Sequence, residues 1–136
     1  MTGTERPAFL DSNVLLYLLA DEPRKVALVR ALLKRRPTIS VQVLNEITNV
    51  CRRKLGLAWD EIGELIDVIR QLCTVTPLSL ETHDLARHIA PRYGMAFYDA
   101  CIVAAAMLAD CRILHTEDMH HGLKVAPNLT IVNPFN

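Results

Sequence analysis

Four acidic residues at widely separated positions are the strongest candidates for chemistry in this chain: Asp11, Glu46, Asp99 and Asp118. Each stands where the surrounding pattern would place an apolar residue or the end of a strand. If the fold brings them together, their mutual repulsion requires a cation. Carboxylate oxygens favour a hard divalent ion, usually Mg²⁺ or Mn²⁺. A site of this kind that faces water suggests metal-assisted phosphate chemistry.

Two of the four acids fall on inward faces of predicted helices. Glu46 lies three residues after Val43 and four before Val50, so it shares their apolar stripe. Asp99 precedes residues 100–106, which are almost all small or apolar, so its helix is expected to be buried and closely packed. An edge position or a hydrogen bond to a nearby cap would account for either acid alone. A shared cation accounts for both, because an unpaired buried carboxylate is costly.

Strand and helix signals alternate along the chain. We predict strands at residues 8–10, 38–39, 73–76, 112–115 and 129–132. We predict helices at residues 14–19, 23–34, 41–55, 59–72, 80–91 and 97–109. This order indicates an α/β fold with three α/β/α layers, in which helices flank a mostly parallel central sheet. Ligands bind beyond the carboxyl ends of such strands, where Asp11 and Asp118 are both expected to lie.

Length and composition favour one globular domain over residues 1–136. Residues 1–7 contain no apolar leader, and the apolar run at 14–20 is too short to span a membrane. We therefore expect a cytoplasmic protein that does not engage a membrane. No two cysteines form a C-x-x-C pair, so all four are expected to be reduced thiols in the core. They are Cys51, Cys73, Cys101 and Cys111.

The charge balance gives no global attraction to nucleic acid, because 15 Lys and Arg residues match 15 Asp and Glu residues. Basic residues are nevertheless dense at 34–36 and at 52–54. These clusters are either solvated helix ends or a local rim that binds phosphates. His115, His120 and His121 flank Asp118, but their spacing does not match common zinc sites. The chain has no G-x-S-x-G or P-loop string.

The motifs around these acids resemble those of the PIN domain family. Residues 9–15 (FLDSNVL) resemble the opening of a PIN domain, and residues 45–46 (NE) resemble its second acidic motif. Residues 98–106 (YDACIVAAA) and 114–119 (LHTEDM) are similar to the third and fourth motifs. The tail at 121–135 is similar to the bacterial VapC-type toxins of that family. The resemblance covers nearly the whole chain.

The resemblance implies an endoribonuclease that depends on Mg²⁺ or Mn²⁺ and acts as the toxin of a toxin–antitoxin pair. It implies a homodimer, a small cognate VapB-type antitoxin, and an RNA substrate such as tRNA or ribosomal RNA. Asp11 and Asp99 would hold the metal. Glu46 would complete the shell or orient the attacking water, and Asp118 would position this metal or support a second one.

Several interpretations stay open at the level of sequence. Glu117 competes with Asp118 for the fourth place, although the family pattern of Thr, any residue, Asp favours Asp118. Ser12 either helps to aim Asp11 or simply caps a helix. The predicted helix at 14–19 is apolar nearly all round, so it is either core or a groove for the antitoxin.

Two other classes of protein compete with the nuclease interpretation. A haloacid-dehalogenase-like phosphatase would carry a second Asp two residues after the first, where this chain has Asn13. A non-catalytic PIN module would have lost one or more of the acids, and all four are present here.

Overall fold

The computed structural model describes residues 6–125 and 127–136. Its sheet contains the strands β1 (Phe9–Leu10), β2 (Thr38–Ser40), β3 (Thr74–Thr76), β4 (Ile113–His115), β5 (Lys124–Val125) and β6 (Leu129–Val132). Its helices are α1 (Ser12–Leu15), α2 (Pro23–Leu33), α3 (Val41–Arg53), α4 (Trp59–Leu72), α5 (Leu80–Tyr93) and α6 (Phe97–Leu108). A 3₁₀ turn, Leu16–Leu19, follows α1.

The sheet has the strand order β3-β2-β1-β4-β6-β5. All neighbouring strands pair in parallel except β5, which runs antiparallel to β6 at the edge. The α/β fold class and the mostly parallel sheet with helices around it are therefore confirmed. The sequence did not predict β5, because Lys124 and Val125 form no apolar run, whereas the equally short β1 does.

The predicted helix at 14–19 is in fact two shorter elements. Asp11 caps α1 with an extended backbone and a side chain that accepts from the Ser12 N–H, so the helix begins at Ser12. After Leu15 the chain tightens into the 3₁₀ turn, whose last bond joins the Ala20 N–H to the Tyr17 carbonyl at 3.1 Å.

Burial divides this segment in the same way. Val14 and Leu15 are fully buried in the core, whereas Leu19 at the end of the 3₁₀ turn is 44% exposed. The core interpretation is thus right for the first half of the segment, and a partner surface remains open for the second half.

Helix α5 passes through Pro91 instead of ending there. A proline in the last turn removes a single backbone donor, which is a tolerable loss at a helix end. The helix stops three residues later at Gly94, whose left-handed backbone (φ 66°) lets its N–H reach the Ala90 carbonyl.

Helix α6 runs through the core, as its composition predicted. All seven residues from 100 to 106 are buried, and the helix packs against α5, α3 and the strands β2 and β4. Its run of alanines lets these neighbours approach closely. The four cysteines are free and buried, which confirms the prediction made for them.

In the described ranges, none of the helices has both the length and the apolar character needed to cross a lipid bilayer. The expectation that the chain starts without an apolar leader concerns residues 1–7, of which 1–5 lie outside the described part.

Candidate active site

The carboxyl ends of β1, β4 and β6 meet at one edge of the sheet, and the candidate site lies there. The Asp11 N–H donates to the His115 carbonyl at 3.0 Å, and the Thr116 N–H donates to the Val132 carbonyl at 3.0 Å. These bonds continue the ladders just past the strands. They bring Asp11 beside the loop that carries Asp118, at the edge where both were expected.

Asp11 is held on both sides of its carboxylate. The Thr116 hydroxyl donates to Oδ2 at 2.9 Å, and the Ser12 N–H donates to Oδ1 at 2.7 Å. Thr116 is fully buried, and Asp11 is only 4% exposed. Hydrogen bonds from the protein therefore orient both oxygens of this carboxylate.

Ser12 connects the first acid to the second. Its Oγ lies 3.0 Å from Glu46 Oε1 and 3.4 Å from Asp11 Oδ1. A hydroxyl has one proton to donate, so the shorter contact to Glu46 is the stronger bond. Glu46 also bonds with the Gln42 side chain one turn earlier on α3. Ser12 is therefore not the cap of α1, which is Asp11; its hydroxyl joins the half-buried Glu46 to Asp11.

Asp99 is the third residue of α6 and is partly buried. The N-terminal turn of a helix carries partial positive charge, which favours a carboxylate there. The charge of Asp118 raises the pKa of both Asp99 and Glu46, so Asp118 lies within electrostatic reach of both acids.

The loop after β4 separates the two acids that competed for the fourth place. Glu117 accepts hydrogen bonds from the Tyr17 hydroxyl at 2.8 Å and from Lys25 Nζ at 3.1 Å, so its charge is already compensated. Asp118 is exposed, and its N–H donates to Thr116 Oγ1 at 3.3 Å. These contacts favour Asp118 over Glu117 as the fourth acid of the site.

Asn13 completes the scaffold below the acids. Its Nδ2 donates to Thr116 Oγ1 at 3.1 Å, and its Oδ1 accepts from the Glu117 N–H at 3.1 Å. Its role, like that of Thr116, was not predicted from the sequence. Both residues lie within the motifs that resemble the PIN family, so the sequence marked their positions. Their hydrogen bonds to the site could be seen only in the structure.

The electrostatics of the site are those of crowded, partly buried carboxylates. Burial raises the pKa of Asp11 from 3.8 to about 6, and the charges of Glu46 and Asp99 add to the rise, against the hydrogen bonds from Thr116 and Ser12. Burial is also the main cause that raises the pKa of Glu46 and of Asp99. The ion pairs that we find among the described residues involve none of the four acids.

This donor set fits a hard divalent cation by its chemistry. Carboxylate oxygens are the preferred ligands of Mg²⁺ and Mn²⁺, and like-charged groups without a basic partner gain most from such an ion. Among the described residues, no three His, Cys, Asp or Glu side chains already stand in a metal-binding cluster.

Two of the histidines near Asp118, His115 and His121, differ in how their Nδ1 atoms are engaged. The Nδ1 of His115 is buried and has no hydrogen-bond partner among the described residues, and burial lowers the pKa of this imidazole. The Nδ1 of His121 accepts from the Asn133 N–H at 2.8 Å, so it is engaged by the backbone. In the described ranges these histidines are not part of any cluster of three or more possible metal ligands.

The two basic clusters lie in different places relative to the acids. Residues 34–36 precede β2 and therefore stand at the amino edge of the sheet, where Arg36 donates to the Gln71 carbonyl at 3.0 Å. Arg53 lies seven residues after Glu46 on α3, so it shares that face roughly 10 Å along the helix. Arg52 beside it lies over the Trp59 ring, 5.2 Å from its centroid.

Comparison with known proteins finds one matching family model and several similar solved structures. The family model described as PIN domain matches residues 8–123. Similar solved structures include a toxin–antitoxin complex from Klebsiella pneumoniae, with a TM-score of 0.70 and 18% identity, over 93% of this chain and 97% of that one. VapBC2 from Rickettsia felis, solved with a DNA fragment from its promoter, has a TM-score of 0.68 and 18% identity over 93% and 97%.

A third structure is VapC20 from Mycobacterium tuberculosis, described as a toxin that cleaves the sarcin–ricin loop. It has a TM-score of 0.64 and 19% identity, over 82% of this chain and 89% of that one. At such identities these similarities establish a shared fold. No curated protein matches the chain.

The raised pKa values predict how stability depends on pH in the absence of divalent metal. The native state binds protons more tightly than the unfolded chain, so the free energy of unfolding falls as the pH rises from about 4 through about 6. For Asp11 alone the shift corresponds to about 3 kcal/mol. Urea denaturation with EDTA at several pH values measures this slope. Asp11→Asn should flatten it, and an unchanged slope in that variant would contradict the burial of a charged Asp11.

The contacts of Thr116 predict a second effect. Thr116→Val removes the hydroxyl that donates to Asp11 and keeps the shape of the side chain, so the pKa of Asp11 should rise further. The free energy of unfolding at neutral pH should fall by about 1–3 kcal/mol. Thr116→Ser keeps the donor and serves as the matched control. Carboxyl NMR titration and urea denaturation test both variants, and equal behaviour of Val and Ser at this position would refute the assignment.

Proposed function

Because the chain belongs to the PIN domain family, we propose that it is a divalent-metal-dependent endoribonuclease and the toxin of a VapBC-type toxin–antitoxin module. The observation that carries the proposal is the buried Asp11, whose pKa is raised to about 6 within a group of four acids at the carboxyl edge of the sheet. Burial of such a group without a basic partner is understandable if the working protein binds a cation there.

Asp11 and Asp99 would be the principal ligands of Mg²⁺ or Mn²⁺, with Glu46 and Asp118 completing the site. Such an ion, when bound, lowers the pKa of water and offsets negative charge on phosphoryl oxygens. Thr116 and Ser12 keep Asp11 oriented, so its carboxylate needs little rearrangement. Glu46, held by the Ser12 hydroxyl and the Gln42 side chain, would complete the shell or orient the attacking water.

The two competing interpretations are less well supported. The position that would carry the second Asp of a haloacid-dehalogenase-like phosphatase is Asn13, and its amide is engaged with Thr116 and the Glu117 backbone. A PIN module without activity would not require Glu46 and Asp99 to lie within electrostatic reach of each other, Glu46 and Asp99 of Asp11, and Asp118 of Glu46 and Asp99.

The family and the solved neighbours also suggest partners. We propose a VapB-type antitoxin, since the similar structures include a toxin–antitoxin complex and VapBC2. The partly exposed turn Leu16–Leu19 is a candidate part of that interface. We further propose a homodimer, a cytoplasmic location, a single PIN domain over residues 1–136, and tRNA or ribosomal RNA as the substrate whose cleavage inhibits translation.

The central prediction concerns two of the acids. Asp11→Asn and Asp99→Asn should each abolish metal-dependent RNA cleavage and growth inhibition, because each removes a principal ligand at almost constant volume. Both variants should remain folded by circular dichroism, and the removal of one repelling charge should not lower the melting temperature of the metal-free protein. Mapping of RNA ends after incubation with Mg²⁺, Mn²⁺ or EDTA provides the measurement. Cleavage by both variants at the wild-type rate would sink the proposal.

A second prediction concerns the route of the RNA backbone. Arg53→Gln should weaken RNA binding and reduce the dependence of log K on log salt by about one unit, because Arg53 follows Glu46 along one face of α3. Lys34→Gln is the matched control, since it removes one positive charge at the opposite edge of the sheet. Binding isotherms at several salt concentrations distinguish the two. Identical slopes for the wild type and Arg53→Gln would exclude a phosphate contact at Arg53.

A further inference from the structure

An exposed aromatic pair adjoins the acidic site at the start of α6. Tyr98, directly before Asp99, is 70% exposed, and Phe97 before it is 36% exposed. The two rings meet edge to face with centroids 5.8 Å apart, and His83 of α5 meets Phe97 in the same way at 5.4 Å. The outer ring of this cluster, Tyr98, therefore leaves most of its surface uncovered next to a candidate catalytic acid.

The backbone that carries this ring is tied to the site. Gln42 Nε2 donates to the Tyr98 carbonyl at 2.9 Å, and the same buried side chain also bonds with Glu46. A buried amide is well placed only if its polar atoms are satisfied, and Gln42 meets this condition by linking two elements of the site. The backbone of Tyr98 is consequently tied to Glu46 through Gln42, and the exposed ring extends from this backbone.

The negative charge of the four acids disfavours a bound RNA, so the RNA is expected to make contacts other than those of its phosphates. The chain has no net charge, and four carboxylates at the site repel a polyanion. The basic residues 34–36 stand at the far edge of the sheet, and Lys25 is paired with Glu117 and Glu22. Besides the proposed cation and the phosphate contact proposed for Arg53, a substrate held close to these acids can gain affinity from groups that carry no charge, and the faces of nucleobases are such groups.

We propose that Tyr98, supported by Phe97, is a stacking platform for an unpaired base next to the phosphate that is cleaved. Each base has a π face that stacks on an aromatic side chain, and it is free to do so only when it is unpaired. The proposal rests on the proposed nuclease function and deepens it. It makes the preferred substrate a single-stranded segment or loop, and Tyr98 a residue that binds the substrate and contributes to specificity.

Binding of RNA without cleavage tests this proposal. The test uses three proteins that all carry Asp99→Asn: the parent with Tyr98, and its Tyr98→Phe and Tyr98→Leu variants. Each protein is titrated into a fluorescently labelled single-stranded 12-mer RNA, and the same RNA in duplex form serves as the comparison. Phe keeps the ring and should preserve affinity. Leu keeps apolar bulk without a π face, and it should weaken single-strand binding on the order of tenfold while leaving the weaker duplex binding unchanged.

A second arm identifies the base that is bound. Abasic sites are introduced one at a time along the 12-mer. At one position the missing base should weaken the affinity of the parent protein with Tyr98, but it should not weaken the affinity of the Tyr98→Leu variant any further. Equal affinity of the Leu variant and its parent for every RNA would overturn the proposal. A change from dimer to monomer in sedimentation of Tyr98→Leu would overturn it too, since the ring would then belong to a contact between two copies of the chain.

The outcome for the underlying function is separate. If the wild-type chain neither binds nor cleaves RNA in the presence of Mg²⁺ or Mn²⁺, the nuclease proposal fails. If it cleaves RNA and the substitution of Tyr98 has no effect, the stacking proposal fails alone.

Discussion

The structure depends on one constraint, which is that a buried carboxylate must be kept in place beside others of the same charge. Asp11 is almost fully buried, and its pKa is raised to about 6 because burial and neighbouring acids disfavour its ionised form. Thr116 and Ser12 oppose this effect with two hydrogen bonds to its two oxygens. The resulting site is ordered but electrostatically unsatisfied, and a divalent cation is the simplest group that would satisfy it.

The fold meets this constraint with very short elements. Strand β1 has two residues, yet it lies between β2 and β4 in the middle of the sheet. Because Asp11 directly follows β1, the hydrogen bonds of this central strand fix the position of the Asp11 backbone. The contacts of Asn13 and Thr116 then join the start of α1 to the loop after β4, so residues about 100 positions apart act as one unit.

Much of this arrangement follows from the sequence. Alternating strand and helix signals predicted a parallel sheet, whose carboxyl edge collects Asp11 and the loop of Asp118. Helical periodicity placed Glu46 and Asp99 among apolar residues, and the composition of residues 100–106 predicted a buried helix. These inferences succeed because they depend on local periods and on a general rule of topology.

Other features depend on contacts between distant residues and were not accessible in this way. At the level of sequence only the family pattern favoured Asp118 over Glu117, because the two acids are neighbours of equal charge. The structure separates them because Tyr17 and Lys25, 100 and 92 residues away, hold the Glu117 carboxylate. The split of the first helix into α1 and a 3₁₀ turn and the continuation of α5 through Pro91 also follow from capping bonds that no hydrophobic pattern encodes.

The most direct test of this account is calorimetric titration of Mn²⁺ into the protein near pH 6, in two buffers with different enthalpies of ionisation. If the buried acids form a cation site, binding should release protons near pH 6, where Asp11 is about half protonated, and should release fewer near pH 8. Asp11→Asn should lose most of the affinity and this proton release. Binding of Mn²⁺ with no release of protons at either pH, or equal binding by Asp11→Asn, would contradict the claim that these carboxylates form one site for a metal ion.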